Sequence, residues 1–304
     1  MTKYTSFPLV VVTCNRDLAL LDLQAQSIQQ YLEPGTTVYI IVNEADPAQW
    51  NEYFDKNIRH YYHQHNLIVL YKQEFEAAWA LRKNTISAGW EDQQILKLLI
   101  ATRIVEPYYL ILDTQNFLIY PLEKKDFPME NNKIPYRPGK YVMPVSIWQD
   151  YSNSVGVLLD EPTNDTMAIC TPLFMHTNLV KSLIAHHQGE VGFSTWFHTA
   201  SKIKSEFILY LFWAEKTGGF KNYHYEQEGW TGSHLRDCSN LNQAVTEFLN
   251  HMGVVKHQIW AMVNHRAWGD MDDRDYNLVR HKLRKYNLDP KFKEYRTNYV
   301  DIKI

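Results

Sequence analysis

Residues 108–116 read YYLILDTQN, an apolar run that closes in a carboxylate, a hydroxyl and two amides. An acid followed by amide oxygens at a strand tip can hold a divalent cation that bridges the phosphates of a nucleotide, or can bind sugar hydroxyls directly. A simpler use is local: Asp113 or Asn116 can bond nearby backbone and close a turn. A second polar tip is VTCNRD at residues 12–17. There Thr13, Asn15 and Asp17 suit the cap of a following helix, whose free N–H groups can also receive a base, a ribose or a phosphate. The Arg16 guanidinium suits a bidentate phosphate contact. A third place is GWEDQQILKLL at residues 89–99, where Trp90, Gln93, Gln94 and Lys97 recur at spacings of three and four and share one helical face. If buried, those amides and that ammonium need partners, which a sheet edge or a ligand can supply.

Other clusters carry less. His60, His63 and His65 in RHYYHQH (59–65) lack Cys or acidic companions, so a surface loop is expected there and not a zinc site. Asp270, Asp272, Asp273 and Asp275 precede Arg280, Lys282, Arg284 and Lys285. That order complements a helix macrodipole, and its spacing is not that of a calcium loop. The glycines of G-x-G-x-x-G and of G-x-x-x-x-G-K-[ST] are missing, so neither phosphate-binding fingerprint is present.

The polar tips need a frame to carry them. Continuous apolar or β-branched runs at 7–14, 37–43, 66–72 and 108–113 predict strands. Helical patterns at 18–32, from 46 onward and at 89–105 separate them. Such alternation predicts a mainly parallel sheet with helices on its faces, and ligands bind beyond the carboxyl ends of such strands. Residues 121–144, rich in Pro, Lys and Asn, read as an irregular excursion. A short strand within 167–176, helices near 177–187, 206–216, 241–252 and 273–286, and a strand at 257–264 follow.

Composition bounds the options. With 304 residues, 45% of them hydrophobic and 21% charged, a sizeable core is expected. A net charge of −3 argues against a nucleic-acid partner. The 20 Tyr and 9 Trp suit interfaces and sugar-like ligands, although most serve a core as well. Cys14, Cys170 and Cys238 are too few and scattered for a disulfide framework, which fits a reducing compartment. The first apolar run is too short to span a membrane, and no later one approaches spanning length. A soluble, cytoplasmic protein is expected, with peripheral contact of the last helix's basic end to an anionic membrane left open.

Six segments, VTCNRDLALLDLQAQSI, GWEDQQILKL, YYLILDTQNFLI, CTPLFMHTNLVKSL, SEFILYLFW and VNHRAW, resemble in order and spacing a group of bacterial and viral predicted glycosyltransferases. That group is similar to the GT-A superfamily, whose members use nucleotide-sugar donors. The likeness runs from the first strand to residue 268, and its most telling parts are W-x-x-Q-Q-x-x-K at 90–97 and the tip from Asp113 to Asn116. It implies one GT-A-like α/β domain over 1–304, with a nucleotide-binding half at about 1–120 and an insertion plus acceptor-binding half at about 121–304. The implied activity moves a sugar from a nucleotide-sugar donor to a glycan or lipid-linked acceptor, as in polysaccharide biosynthesis.

On the same resemblance, Thr13, Asn15, Arg16, Trp90, Gln94, Lys97, Asn116 and Arg266 would lie near the donor. Asp113 takes the place of the first acid of the superfamily's D-x-D motif, but Gln115 stands where the second acid belongs. One carboxylate with amides makes a weaker metal site, so the resemblance implies a loosely held Mn²⁺ or Mg²⁺, or no metal. In the latter case Arg16, Lys97 or Arg266 would offset leaving-group charge. His265 would join Asp113 at the metal, and His176 would meet the acceptor. Glu206 would be the general base for the acceptor hydroxyl, although a glutamate in a first helical turn also stabilises a helix start. Two rivals remain: a carbohydrate- or nucleotide-binding protein without turnover, and a nucleotidyltransferase. The absence of glycine from TCNRDLAL counts against the second.

Overall fold

A computed structural model describes residues 7–79, 88–122, 133–136, 171–199, 205–218, 220–226, 233–235, 240–252, 260–263 and 265–290, with scattered positions between 153 and 159. Its centre is a five-stranded sheet. Strands β1 (Leu9–Thr13), β2 (Thr37–Val42), β3 (Asn66–Tyr71) and β4 (Tyr108–Asp113) run parallel in the order β3-β2-β1-β4. Strand β1 buries Leu9 to Val12 completely, because helices cover both of its faces. Helices α1 (Leu18–Tyr31) and α2 (Ala48–Asn57) bring Leu21, Ile28, Trp50 and Phe54 to the face of Leu9, Val11 and Leu110. Helix α3 (Ala88–Leu99) brings Ile95, Leu96 and Leu99 to the face of Val10, Val12 and Ile111. Each fully buried aliphatic side chain there contributes about 1.5–3 kcal/mol.

After β4 the chain turns at Thr114 and Gln115 and enters β5 (Asn116–Leu118), which leaves the main sheet. A two-stranded pair follows, formed by β6 (Ile134–Tyr136) and a later strand. The main sheet is then completed by β7 (Leu173–His176), antiparallel to β4. Register sets Tyr108 opposite His176, so His176 stands at the start of β4, far along that strand from Asp113. Its imidazole accepts from Leu179 N at 3.3 Å as the cap of α4 (Thr177–His186), and its ring stacks on Tyr223. The expected acceptor contact at His176 is therefore corrected: this buried side chain caps a helix at the end of the sheet opposite the polar tips.

Helix α5 (Gly189–Thr199) was not foreseen; Gln188 and Gly189 both take positive φ to turn the chain tightly from α4 into it. Helix α6 (Glu206–Lys216) is buried from Glu206 to Ala214, the pattern of a helix enclosed on all sides. The short α7 (Phe220–Tyr223) leads into β8 (His224–Glu226), the partner of β6. A second sheet has β10 (Trp260–Val263) between β5, antiparallel, and β9 (Ser233–Leu235), parallel. Against it pack α8 (Leu241–His251), α9 (His265–Asp270) and α10 (Asp273–Arg284), with Phe117, Val245, Phe248, Ala261, Val279 and Leu283 in one core. Asp272 caps α10 by accepting from Asp275 N at 2.8 Å, so part of the acidic run serves the helix start as expected. No helix among the described residues is long and apolar enough to cross a membrane.

Candidate functional site

The carboxyl ends of β1, β2 and β4 converge. Register sets Val12 beside Asp113, so the acid at the end of β4 adjoins the loop that leaves β1. Its side chain remains 25% exposed. The tip is fixed by its own surroundings: Asn116 Oδ1 accepts from Asp113 N at 2.7 Å, and Gln24 Nε2 donates to both Asp113 O and Asn116 O at 2.8 Å. Asn116 is buried and folded back on its strand, the local turn role weighed for it, and not turned toward a ligand.

Behind Asp113 lies a buried ionic group. Lys97 Nζ donates to Asp113 Oδ1 at 2.7 Å and to Glu206 Oε1 at 2.8 Å. Thr171 Oγ1 donates to Asp113 Oδ2 at 3.0 Å. With its amide nitrogen oriented toward the carboxylate, Gln94 donates to both oxygens of Glu206. Phe207 closes the group, its ring centroid 4.9 Å from the ammonium. Burial alone would lower the Lys97 pKa, but Asp113 and Glu206 outweigh it and hold the ammonium above its ordinary value. Burial pushes the Glu206 carboxyl up, and Lys97 pulls against that.

Gln94, Lys97 and Asp113, each singled out in the sequence, meet in this one group. The role expected of Glu206 is corrected. Glu206 is 1% exposed, with one oxygen on Lys97 and both on Gln94, so it cannot reach an incoming hydroxyl from this position. It is the counter-ion that holds Lys97 in place. Thr171 was not singled out beforehand; a Thr before Pro172 carries no signal for a carboxylate partner 58 positions away.

Several polar groups lie on the loops that follow β1 and β2 and at the start of α3. In the loop after β1, Asn15 N donates to Glu44 Oε1 at 2.6 Å, while the buried Asn15 Oδ1 has no hydrogen-bond partner among the described residues. Just past β2, Asn43 Nδ2 donates to Gly89 O at 2.8 Å, and Asn43 Oδ1 is likewise unpartnered among them. Arg16 is half exposed, 3.9 Å from Asp17. Trp90, in the first turn of α3, is 41% exposed. Gln93 Nε2 reaches Val12 O at 3.4 Å, the sheet-edge contact allowed for it. Thr13 is buried, its hydroxyl without a partner among the described residues, but strand alternation sets it on the face of Leu9 and Val11, opposite Asp113. The side chains of His265 and Arg266 lie outside the described residues.

The expected divalent cation meets a poor fit. Asp113 already faces an ammonium and a hydroxyl, and Gln115 supplies no second acid. Among the described residues no group of three His, Cys, Asp or Glu side chains is arranged to hold a metal. The histidine run at 59–65 folds partly as a 3-10 turn, Arg59–Tyr62, with His60 and His63 exposed.

The chain belongs to DUF6492, a family of unknown function whose model matches residues 7–246. No curated protein sequence matches it. Among solved structures it is similar to the galactosyltransferase LgtC, described in complex with donor and acceptor sugar analogues: 9% identity, 96% of this chain and 100% of that one covered, TM-score 0.53. It is also similar to the bifunctional glycosyltransferase WbbM, at 11% identity and TM-score 0.53, over 98% of this chain and 52% of that one. A third is the glycosyltransferase GlyE of Streptococcus pneumoniae, at 8% identity and TM-score 0.51, over 97% of this chain and 63% of that one. At such identities the likeness establishes a GT-A-like fold: a mainly parallel sheet flanked by helices.

Proposed function

We propose that this member of DUF6492 is a glycosyltransferase that moves a sugar from a nucleotide-sugar donor to a glycan or lipid-linked acceptor. The observation that carries the reading is the partly open Asp113 carboxylate at the carboxyl ends of β1 and β4, beside the loop holding Asn15 and Arg16. Ligands of open α/β sheets bind there. Asp113 offers its free lone pairs to ribose or sugar hydroxyls. Asn15 Oδ1 and Asn43 Oδ1 are acceptors that a nucleobase can satisfy, and the exposed Trp90 ring provides a stacking surface. With Glu206 committed to Lys97, the protein's main duty in transfer passes to groups that steady the departing diphosphate, the half-exposed Arg16 among them.

The enclosure of Glu206 also favours a second reading, a nucleotide- or carbohydrate-binding protein without turnover, since the expected base is committed to Lys97 and Gln94. One experiment separates the two. UDP-, GDP-, CMP- and dTDP-sugars are screened by thermal shift, and donor consumption is then followed with and without glycan acceptors. A raised melting point with acceptor-dependent consumption supports the transferase; stabilisation without consumption by any acceptor supports the binder. No shift with any nucleotide sugar removes both.

A further inference from the structure

The ammonium of Lys97 stands where a carboxylate-bound cation belongs. It lies 2.7 Å from Asp113 Oδ1 and 2.8 Å from Glu206 Oε1, two acids that come from different elements and meet only at this atom. Such an arrangement is a cation site whose cation is covalently part of the chain. Two acids without Lys97 would present the paired carboxylates that divalent ions prefer. A Mg²⁺-sized ion binds oxygen at about 2.1 Å, so each carboxylate would need to close in by less than about 1 Å to replace the ammonium with a metal. With Lys97 on Oδ1, a divalent ion at Asp113 would bind the same carboxylate within a few ångströms of a fixed positive charge, and the repulsion works against it. Gln115, two residues further along the same tip, is a neutral amide and adds no second charge there.

We infer that Lys97 is a built-in replacement for the divalent cation at Asp113, so that the site holds its ligand without metal and becomes a metal site when Lys97 is removed. The charge inference stands on the triad alone; its bearing on a diphosphate rests on the transferase or binder reading above. Lys97 then holds Asp113 in place through a fixed cation, one that a chelator cannot withdraw.

The test uses Mn²⁺ itself, read by loss of its free electron paramagnetic resonance signal, on the whole chain. Wild-type protein is expected to leave the signal unchanged at Asp113: any uptake should be the same in Asp113→Asn. Lys97→Ala is expected to take up about one equivalent, lost again in Lys97→Ala/Asp113→Asn. Uptake by wild type that Asp113→Asn abolishes would overturn the inference. So would a folded Lys97→Ala variant that gains no Mn²⁺ affinity. The wild-type comparison decides even where Lys97→Ala does not fold. A parallel calorimetric titration with UDP, in EDTA and in Mn²⁺, separates this idea from the function proposed above. Equal affinity in both buffers supports a built-in cation, and an Asp113-dependent gain of tenfold or more in Mn²⁺ refutes it. Absence of UDP binding in either buffer counts against a UDP donor and leaves the Mn²⁺ result to stand by itself.

Discussion

Replacing Lys97 with Met removes the ammonium from between two carboxylates and leaves them facing each other at low exposure. Two charge-assisted hydrogen bonds are lost, at 2.7 and 2.8 Å. Breaking a buried pair by deleting one partner typically costs about 3–5 kcal/mol, most of it from the charge left behind. Unfolding entropy of about 2.1 cal/mol/K per residue makes 1 kcal/mol worth roughly 1.6 °C in a chain of 304 residues. Lys97→Met should therefore melt about 5–8 °C below wild type. The deficit should also depend on pH. Burial already raises the Glu206 carboxyl, and without Lys97 the largest influence opposing that rise is gone. A carboxyl whose folded pKa lies above its unfolded value destabilises the fold increasingly as pH rises past the unfolded value. The loss should thus be larger at pH 8 than at pH 5. Adding Glu206→Gln should return at least about 1 kcal/mol at pH 8, because contacting residues are coupled. Differential scanning calorimetry of wild type, both single variants and the double variant checks all three points. A Lys97→Met protein that melts within 1 °C of wild type, with additive effects in the cycle, would refute the triad as described.

Four further outcomes are expected. Trp90→Ala should leave the melting point nearly unchanged, since the ring is exposed, yet weaken nucleotide binding by about 1–3 kcal/mol if a base stacks there, measured by calorimetry. Asp113→Asn should weaken binding of the stabilising nucleotide sugar by about 1.5–3 kcal/mol through loss of a charged acceptor; unchanged affinity would take Asp113 out of the site. Acid should destabilise the fold: burial pushes His176 and His187 down to about 4 and His224 to about 3. Because the unfolded chain takes up these protons near pH 6.5, stability is full above that value and falls as pH drops toward 4, by about 2 kcal/mol at pH 5 for His224 alone, visible as a falling melting point. Tyr210→Phe should cost about 1–3 kcal/mol in urea unfolding, since its hydroxyl accepts from His176 N at 2.8 Å and lies 2.6 Å from His224 Nε2.

The central strands could be read from the sequence because both faces are covered, which leaves long apolar runs such as LVVV and YYLIL. The helix carrying Gln94 and Lys97 showed its polar face by spacing alone. Helix α5 could not be read so easily: GEVGFSTWFHT holds two glycines, β-branched residues and aromatics, so packing and not intrinsic propensity makes it helical. Strand β5, three residues long, is too short for any pattern. The pairing of Lys97 with Glu206 spans 109 positions, and the first turn of a helix is also where a glutamate needs no partner. His176 misled for a related reason. Its expected place rested on the family resemblance alone, and β7 runs antiparallel to β4, which puts His176 at the end of the strands opposite Asp113.

The turn at Thr114 and Gln115 is the joint between the two sheets, since β4 belongs to one and β5 to the other. Gln24 of α1 clamps the carbonyls on both sides of that joint with a single amide. Asp113 is therefore anchored at a rivet and does not ride on a loose loop. The fold itself therefore fixes the backbone on both sides of this acid.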